Sequence, residues 1–351
     1  MKAEELLEKN LIVKHYAGSH AYGTALPSSD TDFRGIFCAD PINLLTPFYP
    51  VREVTDKDEE DTKFYELAHF MKLCLDCNPN VIESIWVDEE DVVFDSTAYQ
   101  KLRAHRHDFL SSKIAFTTTG YATAQIKRIK GHNRWLFNPQ PEQCPNQKDF
   151  VSLVQWFGAD RVMPRDFNLD RVKYGHFLVP YGGDIFGVYE WLGRQTYTEN
   201  DGSLKTQYDF GERHELDAPR CIVKFNRSEW NQAKDNWTNY WTWKKNRNIA
   251  RNELEEEYGY DTKHGMHCVR LMRMGLEALR DGEILVKRPD AEELLAIRNG
   301  AWSYEEMVKY AEDMDNEIRN VWYKKTDLPK KPDIKLAANV LMEVQQMIWN
   351  N

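Results

Sequence analysis

One segment constrains this chain more than any other: GSHAYGTALPSSDTDF, from Gly18 to Phe33. A β-rich run, LIVKHY, leads into it, and TDFRGIFCAD, which alternates in the manner of a strand, leads out. Between them lies a turn region rich in Gly, Ser and Pro. The pattern predicts a strand ending at Gly18-Ser19, a short helix or turn, and a return strand carrying Asp30 and Asp32. Residues i and i+2 of a strand face the same way, so the two carboxylates are expected side by side. Like charges at that spacing are unfavourable unless a cation lies between them. Mg²⁺ suits such a place, since it takes oxygen ligands, typically one or two carboxylates plus phosphate oxygens. Gly18 lets a phosphate approach the backbone, and the N–H groups and hydroxyl at Ser19 can hold its oxygens at a helix N-terminus. On spacing alone, a Gly/Ser turn followed by a solvated acidic strand edge accounts for the same residues.

The chain has 351 residues, enough for about two domains. Hydrophobic residues make up 42% and charged residues 29%, as in a soluble globular protein. Lys plus Arg is 46 against 56 Asp plus Glu, a net charge of −10, which argues against coating nucleic acid through bulk charge but leaves room for a local basic groove. No apolar run reaches the roughly 18–20 residues of a membrane span, and the charged start, MKAEELLEKN, lacks the apolar stretch of a secretory signal. The expected location is the cytoplasm, with no membrane partner. Six cysteines are too sparse for a disulfide framework. Cys74 and Cys77 form one CxxC, but no second pair is near, and their segment, FMKLCLDC, reads as apolar helix with buried thiols.

Residues 63–77 carry Phe64, Leu67, Met71 and Leu75 at helical spacing. Asn80 followed by Glu83 reads as a capping box opening the next helix. Val92 to Phe94 reads as a short strand. Helices are expected over 97–110, 112–130 (ended by Gly131), 228–257, 261–281, 290–297 and 303–320, and at the end of the chain. Residues 138–149 read as a loop and 165–225 as mixed short β-rich pieces. The fold class is therefore α+β: a small head over residues 1–95, a mixed sheet with helices, and a larger, mainly helical body over residues 96–351.

Within 261–281, Lys263, His267 and Arg270 share one stripe at 100° per residue, while Val269, Met272, Leu276 and Leu279 cluster opposite. The helix is expected to bury one face and offer a basic one. WTNYWTWKKNRNIAR (237–251) interleaves aromatic and basic residues, and IKRIKGHNR (126–134) is a second basic cluster, expected at a helix C-terminus. Each suits stacking and phosphate contact with RNA, or ordinary helix packing with a charged outer face. His20 and Tyr22 either pack the turn or stack on a base.

The strand, Gly-Ser, short helix and paired carboxylates resemble the signature of the DNA polymerase β-like nucleotidyltransferase superfamily. More narrowly, the chain resembles the YcgL/RlaP-type nucleotidyltransferases, the latter associated with RNA ligases, through DTKFYELAHFMKLCLDCNPNVIESIW (61–86), YGYDTKHGMHCVRLMRMGLEAL (258–279) and VKRPDAEELLAIRNGAWSYEE (286–306). The resemblance implies transfer of an NMP from an NTP, ATP favoured, to an acceptor hydroxyl with release of pyrophosphate. It implies one or two Mg²⁺ ions, with Mn²⁺ as a substitute, held by Asp30, Asp32 and a third carboxylate. Among the acidic residues of 56–66, Asp61 fits the family's D-x-x-x-Y pattern best, with Glu66 as the alternative. Gly18 and Ser19 would hold phosphates, and Lys263 and His267 would reach the nucleotide from a closing C-terminal helix. The implied acceptor is an RNA end such as that of a tRNA. Nucleotidylylation of a protein side chain is the alternative, and a non-catalytic nucleotide-binding regulator is the reading from another class.

Overall fold

The structure, a computed structural model, describes residues 7, 9–55, 62–159, 165, 167–169, 176–190, 197–206, 218–246 and 249–350. β1 (Leu11–Ala17) and β2 (Asp32–Phe37) are the two strands flanking the glycine-rich turn. They pair antiparallel, with Ala17 opposite Asp32 and His15 opposite Arg34. Between them Gly18–Tyr22 forms a short helix, α1. With β3 (Glu53–Thr55), β4 (Lys63–Glu66) and β5 (Val92–Asp95) they build a five-stranded sheet in the order β3-β4-β2-β1-β5. β2 and β4 run parallel and the other neighbours antiparallel, so the sheet is mixed.

The register assigns the faces. Asp32, Arg34 and Ile36 share one face by alternation, joined by Lys63, opposite Arg34, and Tyr65, opposite Ile36. Ile36 and Tyr65 belong to the main core, with Leu67, Phe70, Tyr99, Leu102 and Ile114. The opposite face carries Phe37, Phe64 and Val54, a smaller core. Toward the start of β2 the first face changes from apolar to charged, so a polar site forms where the core stops.

The helical spacing expected over 63–77 holds only in part, since Lys63–Glu66 is strand and the helix that follows, α3, spans Leu67–Leu75. Glu66 divides them because its carboxylate caps α3, accepting from the N–H groups of Ala68 and His69. Before α3 lies α2 (Pro41–Leu45), and after it α4 (Pro79–Ile82). The cap of α4 is Asn78, with Pro79 at its first turn, rather than the Asn80–Glu83 box read from the sequence. Glu83 is thereby released to turn inward. Cys74 and Cys77 are buried free thiols, as read from the sequence; burial pushes both thiols up, and Cys77 contacts Ser111.

α5 (Thr97–Ala104) and α6 (Ile114–Phe137) follow. Gly131 lies inside α6 instead of ending it; one glycine costs a helix only about 1 kcal/mol, and Trp135 to Phe137 continue the turn. β6 (Val151–Trp156), β7 (His176–Gly182), β8 (Ile185–Glu190) and β9 (Cys221–Phe225) form an antiparallel sheet in the order β6-β9-β8-β7, with its own core of Leu178, Val188, Val223 and Phe225. The helix expected over 228–257 is two, α7 (Arg227–Lys245) and α8 (Ile249–Tyr258). The C-terminal part is helical: α9 (Thr262–Asp281), α10 (Ala291–Arg298), α11 (Tyr304–Asn316, continued by a π-helical turn over Glu317–Trp322) and α12 (Ile334–Trp349). The protein is thus α+β, with a mixed sheet and helices at the N-terminus and a mainly helical C-terminal body. Its contacts group residues 1–134 and 249–351 into one compact unit and 135–248 into a second; the boundary expected after residue 95 falls inside the first. Among the described residues, no helix is long and apolar enough to cross a membrane.

Candidate active site

At the charged end of the first sheet lies a cavity of about 400 Å³ lined by Gly18, Asp32, Arg34, Thr55 and Lys63. Each lining residue has a local reason to be there. Gly18 adopts φ +59°, a left-handed conformation that side chains disfavour, and a Cβ at this position would collide with the Asp32 carboxylate. The glycine therefore brings the start of α1 directly onto Asp32. Asp32 and Arg34 alternate onto the cavity face of β2, and the parallel register sets Lys63 beside Arg34. Lys63 also pairs with Glu53 of β3 at 2.9 Å. Ala17, which precedes α1, has no side chain that caps the helix, and the carboxylate against its first turn is that of Asp32.

Arg34 links this cavity to a buried charge network. Its guanidinium donates to the Asn80 carbonyl and lies 3.6 Å from Glu83 Oε1. Glu83 also accepts from the Tyr22 hydroxyl at 2.7 Å and pairs with Arg270 of α9 at 3.4 Å. Arg270 lies over the Tyr22 ring, 3.7 Å from its centroid. Burial works against the charge on Arg34, but Glu83 and the neighbouring Tyr22, Tyr65 and Asp32 hold its guanidinium above the ordinary arginine value. The Tyr22 phenol is pushed up, by burial first and by Glu83 against the pull of the arginines.

The structure brings together some of the residues singled out in the sequence and separates others. Gly18 and Asp32 meet at the cavity, with Ser19 next in α1. Asp30 is exposed in the loop before β2, which begins only at Asp32, so the strand argument for a shared face reaches Asp32 alone. Asp61 lies outside the described residues. Glu66 is buried in capping α3 and does not line the cavity; burial raises its carboxyl despite the N–H groups it accepts from. Tyr22 packs the turn. Lys263 and His267 are half-buried on α9 and are not among the residues lining the cavity. The His267 imidazole is lowered to about 3, by burial first and then by Arg270 and Lys263, so it is neutral near pH 7 and offers a hydrogen bond rather than charge.

The expected basic face of α9 is thus not a solvated one. Arg270 is buried against Glu83, while Arg273 binds Asp290 (2.5 Å) and Glu293 (2.6 Å), and Arg288 binds Glu277 (2.5 Å). These pairs fasten α9 to α10. Arg34, Lys63 and Thr55 were missed in the sequence because the signal for them is register: Arg34 stands two residues after Asp32, and only strand pairing brings Lys63 beside it. In the second unit, the indole N–H groups of Trp237 and Trp241 both donate to the Pro141 carbonyl (2.9 and 3.1 Å), and that of Trp230 to Pro145 (3.0 Å). These tryptophans hold the Pro-rich segment, while Lys244 and Lys245 are exposed.

Residues 2–136, which contain every cavity residue, match the RlaP family, described as "RNA repair pathway DNA polymerase beta family". Over 330 residues, 88% of each chain, the protein is 22% identical to an uncharacterized 38.9 kDa protein from the nrdC–mobD intergenic region of Enterobacteria phage T4. No solved structure matches the chain.

Proposed function

We propose that the protein is a Mg²⁺-dependent nucleotidyltransferase that moves an NMP from an NTP, ATP favoured, to the hydroxyl of an RNA end and releases pyrophosphate. The observation that carries this reading is the cavity itself: one carboxylate, two cations and a hydroxyl around a glycine whose missing side chain leaves the backbone against Asp32. A triphosphate supplies the negative charge that Arg34 and Lys63 would balance. The N–H groups and hydroxyl at Gly18 and Ser19, in the first turn of α1, would donate to phosphate oxygens.

Asp32 is the carboxylate lining the cavity, and Mg²⁺ takes one or two carboxylates together with phosphate oxygens that a bound triphosphate would supply. Asp32 and Asp30 would hold it, with Asp61 as the third ligand and Mn²⁺ as a substitute. When bound, the ion polarises the phosphate and neutralises charge at the attacking and leaving oxygens. The chain's own residues do the rest. Arg34 and Lys63 orient the triphosphate, and a carboxylate takes the proton of the acceptor hydroxyl as its oxygen attacks the α-phosphorus. The bond to the leaving pyrophosphate breaks in the same displacement. The six free cysteines suit a reducing, cytoplasmic setting.

The test is incubation with each labelled NTP and Mg²⁺, offering total RNA and a protein lysate as acceptors. The expected result is label in RNA, lost in Asp32→Asn. Label confined to polypeptides would replace the acceptor. ATP binding without transfer to either would replace the enzyme with a sensor.

A further inference from the structure

A second cluster of ionisable groups lies away from the cavity residues, where α6, α8 and the start of α9 meet. His132 of α6, Glu255 of α8 and Asp261, the N-cap of α9, each place one donor atom within 4.8 Å of the others. Their side chains are only 18%, 5% and 5% exposed. His132 Nδ1 stands 3.5 Å from Glu255 Oε1. Asp261 uses Oδ1 to accept from the His264 backbone N–H at 3.0 Å, and its Oδ2 lies 2.8 Å from His264 Nδ1.

Two carboxylates buried this closely repel each other, and the cost falls if a cation sits among them. Tetrahedral zinc, with bonds of about 2.0–2.2 Å to nitrogen and oxygen, sets its ligand atoms roughly 3.4 Å apart, close to the His132–Glu255 separation. An imidazole in the set disfavours Mg²⁺ and Ca²⁺, which take oxygen ligands, and favours a first-row transition metal. We propose that His132, Glu255 and Asp261 form a site for a divalent transition metal ion of the zinc type, with a water in the fourth position and His264 orienting the Asp261 carboxylate.

The place in the chain gives the site a use. His132 precedes the point where the first unit ends at Arg134, and Glu255 follows its resumption at Ile249. A metal held by both ties together the two chain crossings that bracket residues 135–248, and a clip across so long a connection removes conformational freedom from the unfolded chain. Asn133, whose side chain donates to the Gly259 carbonyl at 2.8 Å, fixes the same two segments. The ion would serve architecture and is independent of the nucleotide reading.

The experiment uses the full chain, stripped with a chelator and titrated with Zn²⁺ and, separately, Co²⁺. One ion bound per chain, a raised thermal midpoint and visible Co²⁺ absorption of a four-coordinate site are expected. His264→Ala should weaken binding by about 10–100-fold, the usual effect of losing a partner that orients a ligand. Glu255→Gln combined with Asp261→Asn should abolish it. His132→Cys separates loss of ligands from loss of fold: it should retain Co²⁺ and add a thiolate charge-transfer band. No binding by the stripped parent, an unchanged Co²⁺ spectrum in His132→Cys, or equal Zn²⁺ affinity in the double variant would each overturn the assignment.

Discussion

Two assemblies of charge share Arg34 and are built to opposite ends. On one side of it, Asp32, Lys63 and Thr55 surround open space. On the other, Glu83, Tyr22 and Arg270 close on one another with Glu83 and Arg270 only 4% exposed. Charge that faces a cavity is available to a ligand that brings its own charge. Charge matched inside the protein holds elements together, and here it docks α9 against the turn that follows β1. The two cannot be told apart by counting basic residues or their carboxylate partners, since Lys63 also pairs with Glu53; what separates them is whether the charges open onto a cavity or are enclosed.

The comparison can be broken most directly at Asp32. Asp32→Asn should lower nucleotidyl transfer by at least about 100–1,000-fold, while urea unfolding shifts by less than about 0.5 kcal/mol. A variant that keeps Mg²⁺-dependent activity would remove Asp32 from the chemistry. Glu83→Gln should do the reverse in kind: it leaves Arg270 buried beside a neutral group and should cost about 3–5 kcal/mol of stability. Denaturant titration reads that loss, and an unchanged midpoint would show that the buried pair holds nothing.

The pH dependence sharpens the buried side. Burial first, aided by Arg34 and opposed by the bond to the Tyr16 carbonyl, lowers His15 to about 4, and His267 is lowered to about 3. Both sit below the ordinary 6.5 of an unfolded histidine, so the native state binds fewer protons in between. Their contribution is complete above about pH 6.5 and is lost as the pH falls toward about 4 and then 3. Denaturation midpoints measured downward from pH 7 should decline over that window, and His15→Gln should flatten part of the slope.

The smallest effects test nucleotide contact. Lys63→Ala should weaken NTP binding by about tenfold, the loss of one charge-assisted contact. Lys263→Ala should weaken it by no more than about threefold. Equal losses in an equilibrium binding assay would bring α9 to the nucleotide.

Much of the head was legible because its signals are local. β1 and β2 follow from alternation, the turn from Gly, Ser and Pro, and the Gly18–Asp32 approach from a glycine–serine pair ahead of an aspartate on the next strand. Local patterns misled where one residue changed role. Glu66 looks like the middle of a helix until its carboxylate caps α3, and Glu83 looks like a cap until Asn78 takes that place. The tryptophans of 237–243 look like a stacking surface, yet two of their indoles are committed to Pro141.

The amino-acid order by itself determined β1, β2 and β5, most of the helices, the α+β class and the pairing of a flexible glycine with an acidic partner, because each depends on neighbours within a few turns or on a repeat of two or 3.6. Which cations meet that acidic partner was decided only by tertiary structure. Lys63 reaches Arg34 through a parallel register, and Arg270 finds Glu83 across nearly two hundred residues. The physical reason is that a charge acts through its distance to other charges and to water, and folding alone sets those distances.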